Sequence, residues 1–276
     1  MKLVRLIGYF LQLNNILGFG ATCSFCFSYA LHIVWPQKGE LAHMPVGPYV
    51  FYFPSFAYFE GLFTEIFFKG TYFLAPTTKP IWVIDCGANI GMSLLYVKVR
   101  APQARVLCFE PNPAARAVLE RNIAANKWGD DVQVFPFALG KERGTADFFV
   151  DNNETTSSGG SVARYQKNET SDFNSYTVDV DVLSHYINGT VDLLKMDIEG
   201  PEFDVLEELR ATNKLRSIAT IQLEYHYIPG FFTRPLSEML SLLEKAGFHT
   251  FVQANAPAHQ IINQDVMHTY MVFAWR

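Results

Sequence analysis

The segment Val83–Gly91, VIDCGANIG, constrains this chain more than any other. A short apolar run ends in the Asp85 carboxylate. Gly87, Asn89 and Gly91 then lead straight into a helical pattern over Met92–Arg100. Strand, glycine turn and helix in that order open a mostly parallel sheet. Glycines at such a turn let backbone approach a ligand closely, and the helix N-terminus supplies amide donors. The turn alone does not say which ligand.

The rest of the chain keeps the same rhythm. Ile81–Cys86, Arg105–Glu110, Val132–Ala138, Val191–Asp197 and Ser217–Glu224 are predicted to be buried strands. Met92–Arg100, Pro113–Asn126, Pro201–Arg210 and Pro235–Ala246 are predicted helices, three of them opened by proline in the first turn. Gly247 is a predicted C-cap, and His249–Ala254 and Tyr270–Trp275 close the chain as strands. This alternation predicts an α/β fold of Rossmann-like type, with helices on both faces of the sheet. Asp151–Ser175, rich in Asn, Ser, Thr, Gly and Glu, is expected to be a surface loop or lid.

The N-terminal third differs. No Asp, Glu, Lys or Arg lies between Arg5 and Lys38, yet Gln12, Asn14, Asn15 and the Gly18-Phe19-Gly20 break interrupt the apolar run. Leu3, Leu6, Phe10, Leu13 and Leu17 recur at helical spacing, and Ser24, Ser28 and His32 form an i, i+4 stripe on a second helix ending before Pro36. Two short helices suit this pattern better than one span. They are expected to pack on the core, the other reading being contact of residues 1–35 with a membrane surface. Residues 37–80 read as an aromatic cap. The organisation expected is an accessory region over residues 1–75 and a catalytic domain over residues 76–276.

Composition narrows the function. Of 276 residues 49% are hydrophobic and 18% charged, which fits a large buried core. A net charge of -5 and a pI near 5.8 argue against a nucleic-acid substrate, because phosphate affinity comes largely from Lys and Arg. The four cysteines show no disulfide framework, and the Cys23/Cys26 pair lacks a second ligand pair for zinc. This fits a reducing cytoplasm, with membrane association the open question. The sequons at Asn153, Asn168 and Asn188 matter only in a secreted chain.

Two acids decide between ligands for the glycine turn. A dinucleotide would set its pyrophosphate against the Asp85 carboxylate, which repels it. S-adenosylmethionine has no phosphate, and its ammonium suits an acid there. Glu110 ends the next strand, where a carboxylate accepts hydrogen bonds from both ribose hydroxyls. The expected cofactor set is Asp85, Gly87, Asn89, Gly91, Glu110 and Asn112, with Ala138 contributing backbone at the end of the third strand.

VIDCGANIGMS, FEPNP and LLKMDIEGPEFDVL, in this order and spacing, resemble the FkbM family of methyltransferases over about residues 80–225. The resemblance implies a class I methyltransferase fold, with a seven-stranded, mostly parallel sheet whose last strand is antiparallel. It also implies S-adenosylmethionine as methyl donor, S-adenosylhomocysteine as product, and O-methylation of a sugar, glycolipid or polyketide hydroxyl.

Methyl transfer to a hydroxyl needs the acceptor oxygen held in line and its proton removed or shared. Groups able to do this belong at the ends of the fourth and fifth strands. That selects Lys195, Asp197 and Glu199 on one strand end, and Glu224 and His226 on the other, each set sharing a face at two-residue spacing. Asp197, Glu199, Glu224 and His226 are the catalytic candidates, with Asp197 or His226 as base. A divalent cation held by those four is chemically reasonable, although no metal is assigned. Glu199 and Glu202 could equally serve as first-turn helix acids, and Lys195 could pair with a neighbour. Tyr227, Phe231, Phe232 and Arg234 could line an acceptor site or simply pack. A non-catalytic binding or membrane-associated module remains the competing reading. A nicotinamide oxidoreductase is disfavoured by Asp85 and by the absence of G-x-G-x-x-G.

Overall fold

The computed structural model describes residues 2–35, 39–151, 173–227, 234–254 and 268–276. These divide into two compact units. The first comprises residues 1–80, 88–105 and 115–133, and the second residues 81–87, 106–114 and 134–276. The first therefore includes more than the accessory region expected up to residue 75.

In the first unit, α1 (Lys2–Leu17) and α2 (Phe19–Val34) are separated at Gly18, whose φ of 80° breaks the helix. The buried stripe of α2 is Thr22, Phe25, Tyr29 and His32. Of the Ser24, Ser28 and His32 stripe, His32 is buried while Ser24 is exposed and Ser28 half-buried, because aromatic rings rather than hydroxyls meet the core. Phe25 stacks on Phe63 at 4.7 Å, and His32 on Phe56 at 4.4 Å. Of the α1 stripe, Leu13 is buried and Phe10 and Leu17 half-buried, while the side chains of Leu3 and Leu6 lie outside the described residues.

An antiparallel pair follows, β1 (Ala42–Val46) and β2 (Tyr49–Phe53), and then α3 (Phe56–Phe63). Asn122 and Asn126 of α5 (Pro113–Ala125) and its end complete the hydrogen bonding of β2. Asn122 exchanges bonds with the Tyr52 backbone at 2.7 and 3.1 Å, and Asn126 with that of Val50 at 2.9 and 2.8 Å. Side-chain amides thus satisfy strand groups that would otherwise need a third strand. The predicted helix Met92–Arg100 is present as α4.

Strands β3 (Trp82–Cys86), β4 (Arg105–Phe109), β5 (Val132–Phe135), β9 (Val191–Met196), β10 (Ile218–Tyr227), β11 (His249–Ala254) and β12 (His268–Trp275) form one sheet. Its order is β11-β12-β10-β9-β3-β4-β5. β9 pairs parallel with both β3 and β10, while β12 runs antiparallel between β10 and β11. This is the seven-stranded arrangement with an antiparallel last strand. The order reverses between β3 and β9, the place where ligands bind in open α/β sheets. In the second unit, α6 (Glu202–Ala211) and α7 (Leu236–Lys245) bury Val205, Leu206, Leu209, Met239 and Leu243 in one cluster with Ile84, Leu194, Ile221 and Val272 of the sheet.

The third predicted strand is shorter than expected. Pro136 has no N–H to continue the ladder. The chain leaves the sheet there and begins β6 (Ala138–Leu139), which joins β7 (Gly144–Asp151) and β8 (Phe173–Asp181) in a separate three-stranded sheet. The expected loop over Asp151–Ser175 is accordingly bounded by strand at both ends. Residues 152–172, including any lid, lie outside the described residues.

Candidate functional site

The ends of β3 and β9 are laced together. Asp85 and Lys195 are direct partners in the parallel register, and both are buried. The Lys195 ammonium lies 3.1 Å from the Asp85 carboxylate and 3.9 Å from that of Asp197. It also donates to the Gly87 carbonyl at 2.7 Å. Burial alone would lower the Lys195 pKa, but Asp85 and Asp197 outweigh it and raise it. Lys195 is thus a fixed internal cation, bracing the first residue of the glycine turn.

Gly87 has a second reason to be glycine. Its φ is 77°, and a Cβ there would lie 1.8 Å from the Asp197 carbonyl oxygen. The turn packs directly on the end of β9, so a side chain would push Asp197 away. Asn89 and Gly91 belong to the first unit, both at positive φ. Asn89 accepts from the Tyr58 hydroxyl at 2.8 Å, and a Cβ on Gly91 would meet Leu119 at 2.7 Å.

Glu110, directly after β4, is 6% exposed. One carboxylate oxygen accepts from the Asn112 amide at 2.8 Å. Asn112, also buried, caps the start of α5 by accepting from Ala114 N at 2.9 Å. Ala138 does not end the third strand of the main sheet. It pairs with Val180 in the smaller sheet and is buried against Phe148 and Val178.

Three of the four catalytic candidates converge. Asp197, Glu199 and His226 each offer a ligand atom within 4.8 Å of the other two, whereas Glu224 is not in this group. Glu199 holds φ at 58° where the chain turns from β9 into α6. The Asp197 and Glu199 side chains are 27% and 18% exposed, and His226 is buried behind them.

Glu202, which sequence reasoning treated as an ordinary helix acid, is fully buried. It accepts from His226 Nδ1 at 2.8 Å and from the Gly200 amide at 2.9 Å. That fixes the ring and directs Nε2 toward Glu199, 3.4 Å away. Burial alone would lower the His226 pKa. Glu199 and Glu202 outweigh it and hold it well above the ordinary imidazole value. Of the proposed acceptor loop, Phe231 and Phe232 lie outside the described residues. Arg234 pairs with Glu238 at 2.9 Å and covers the Phe203 ring.

The family described as Methyltransferase FkbM domain matches residues 85–250. The methyltransferase sdnD of Sordaria araneosa is 32% identical over 173 residues, covering 53% of this chain and 67% of its own. The 2-O-methyltransferase NoeI of Sinorhizobium fredii (strain NBRC 101917 / NGR234) is 27% identical over 176 residues, covering 58% of this chain and 70% of its own. Among solved structures, methyltransferase FkbM from Methylobacillus flagellatus KT aligns with a TM-score of 0.47 at 16% identity, over 98% of this chain and 60% of that one.

Proposed function

The chain belongs to the FkbM methyltransferase family, and from that membership we propose that it methylates a hydroxyl oxygen of a sugar, glycolipid or polyketide-like small molecule, with S-adenosylmethionine as donor. The observation that carries this reading is the convergence of Asp197 and Glu199, both partly exposed, at the switch point of the sheet. Ionised carboxylates can only accept hydrogen bonds, so they recognise a donor such as a hydroxyl. The name of NoeI, a 2-O-methyltransferase, supports an oxygen acceptor.

The residues present fit the cofactor. Glu110 stands at the end of β4 with a carboxylate suited to a ribose diol, beside Asn112. Gly87 presents backbone at the end of β3. Asp85 acts through Lys195, which fixes the Gly87 carbonyl. When bound, S-adenosylmethionine supplies a methyl carbon made electrophilic by its sulfonium. The work left to this chain is to orient the acceptor hydroxyl and take its proton. Asp197 does so in this reading, with Glu199 as a second acceptor and the Glu202–His226 pair holding Glu199 in place.

The test is transfer of labelled methyl from S-adenosylmethionine to a panel of glycosides and polyols. Label is expected on oxygen. Asp197→Asn is expected to lower kcat by about 10²–10⁴ while leaving S-adenosylhomocysteine affinity near wild type. Label only on nitrogen or carbon, or full activity in Asp197→Asn, would overturn the reading.

A further inference from the structure

The Asp197–Glu199–His226 group has the geometry of a metal site as well as that of an acceptor site. Around an octahedral ion with bonds of about 2.1 Å, ligand atoms stand about 3.0 Å apart in cis and about 4.2 Å in trans. The three candidate atoms lie within 4.8 Å of one another, so an ion would need to draw them only slightly closer to reach that span. A second observation concerns orientation. A ligating histidine almost always donates its other ring N–H to a carboxylate or carbonyl, which fixes tautomer and ring plane. Buried Glu202 does this at His226 Nδ1, and Nε2 is left toward Glu199. The backbone amide of Gly200 holds the same Glu202 oxygen, so the support is itself supported. The two carboxylates are reachable from solvent and the imidazole closes the inner side. An ion there keeps open positions for water or an acceptor oxygen.

We propose that Asp197, Glu199 and His226 bind one divalent cation of the Mg²⁺/Mn²⁺ class, with Glu202 as the positioning residue for His226. Mixed carboxylate and imidazole donors suit Mn²⁺ better than Ca²⁺ or a thiolate-seeking ion. Its use in the reaction rests on the methyl-transfer reading. There the cation would hold the acceptor oxygen and lower the cost of passing its proton to the Asp197 oxygen that does not bind the ion, as the oxygen takes the methyl and the methyl–sulfur bond breaks. The existence of the site does not rest on that reading.

The experiment is Mn²⁺ binding to the metal-stripped full chain, followed by the loss of free-ion electron paramagnetic resonance signal. One Mn²⁺ per chain is expected. Glu202→Gln is expected to weaken binding by about 10–100-fold. Glu199→Gln, on a partly exposed turn, is expected to weaken it about tenfold or more without threatening the fold. Glu244→Gln, on the surface of α7, serves as the unchanged control. No signal loss in the wild type overturns the site, as does equal binding by all four chains. Mn²⁺ bound without any methyl transfer would support the site and contradict the reaction reading. Chelator-insensitive methyl transfer with no bound Mn²⁺ would remove the cation and leave the transferase standing.

Discussion

Lys195 and Asp85 show how little of a buried site is independent of its neighbours. Asp85→Ala leaves the Lys195 ammonium buried beside the more distant Asp197. Breaking a buried pair from one side costs about 3–5 kcal/mol. Asp85→Ala is therefore expected to lower unfolding free energy by about that amount in denaturant titrations, and to weaken S-adenosylhomocysteine by about 1–3 kcal/mol. Weakened binding at unchanged stability would mean that Asp85 meets ligand directly rather than through Lys195. Gly87→Ala is a sharper probe, since the new Cβ would lie 1.8 Å from a backbone oxygen. It is expected to cost more activity than its left-handed φ alone, worth about 1–2 kcal/mol, could explain. Activity near wild type would contradict the packing of the turn on β9. At this scale the candidates Asp85, Gly87, Asp197, Glu199 and His226 are all visible in sequence, because acids, glycines and a histidine at strand ends stand out there. Glu202 was not. An acid in the first turn of a helix is commonplace, and nothing in EGPEF separates a solvated one from one buried under a histidine on a strand more than twenty residues away.

The strands and helices of the main sheet follow hydrophobic periodicity closely, and each miss has a local cause. Pro136 ended the third strand three residues early and sent Ala138 into the smaller sheet. β7 and β8 escaped detection because their outward positions Thr177 and Asp179 are polar, and among the described residues Phe148 and Val178 are their buried apolar side chains. That alternation is a half-buried strand, but the Asn- and Ser-rich stretch beside it hides the pattern. The end of β8 carries its own testable feature. Asp181 accepts from the Val182 amide at 2.8 Å and the Tyr186 hydroxyl at 2.9 Å, with Arg143 at 3.3 Å. Burial alone would raise its pKa, yet these donors outweigh it and hold it below the ordinary carboxylate value. A group depressed in the folded state stabilises above its unfolded pKa, and that stabilisation is lost as pH falls through the folded value. Asp181→Asn is expected to cost about 1–3 kcal/mol at neutral pH. The difference from wild type should shrink as acid is added. A constant difference across that range would show that charge plays no part.

For the molecule as a whole, the α1–α2 pair has two faces with different expectations. Its inner face joins an aromatic core through Phe25, Tyr29 and His32, with Phe56, Phe59 and Phe63 as partners. Among the described residues no helix is long and apolar enough to cross a membrane. A chain lacking residues 1–35 is expected to expose those rings, bind more apolar dye and lose solubility. A soluble, folded and active truncated chain would contradict the packing role. The rest of the fold bears on one question, the ligand at the switch between β3 and β9. Calorimetric titration of the whole chain with S-adenosylhomocysteine, beside NAD and with Glu110→Ala as the second sample, asks it most directly. Saturable binding of S-adenosylhomocysteine, none of NAD, and a loss of about 1–3 kcal/mol in Glu110→Ala are expected. Binding of NAD, or S-adenosylhomocysteine affinity unchanged in Glu110→Ala, would contradict the cofactor reading.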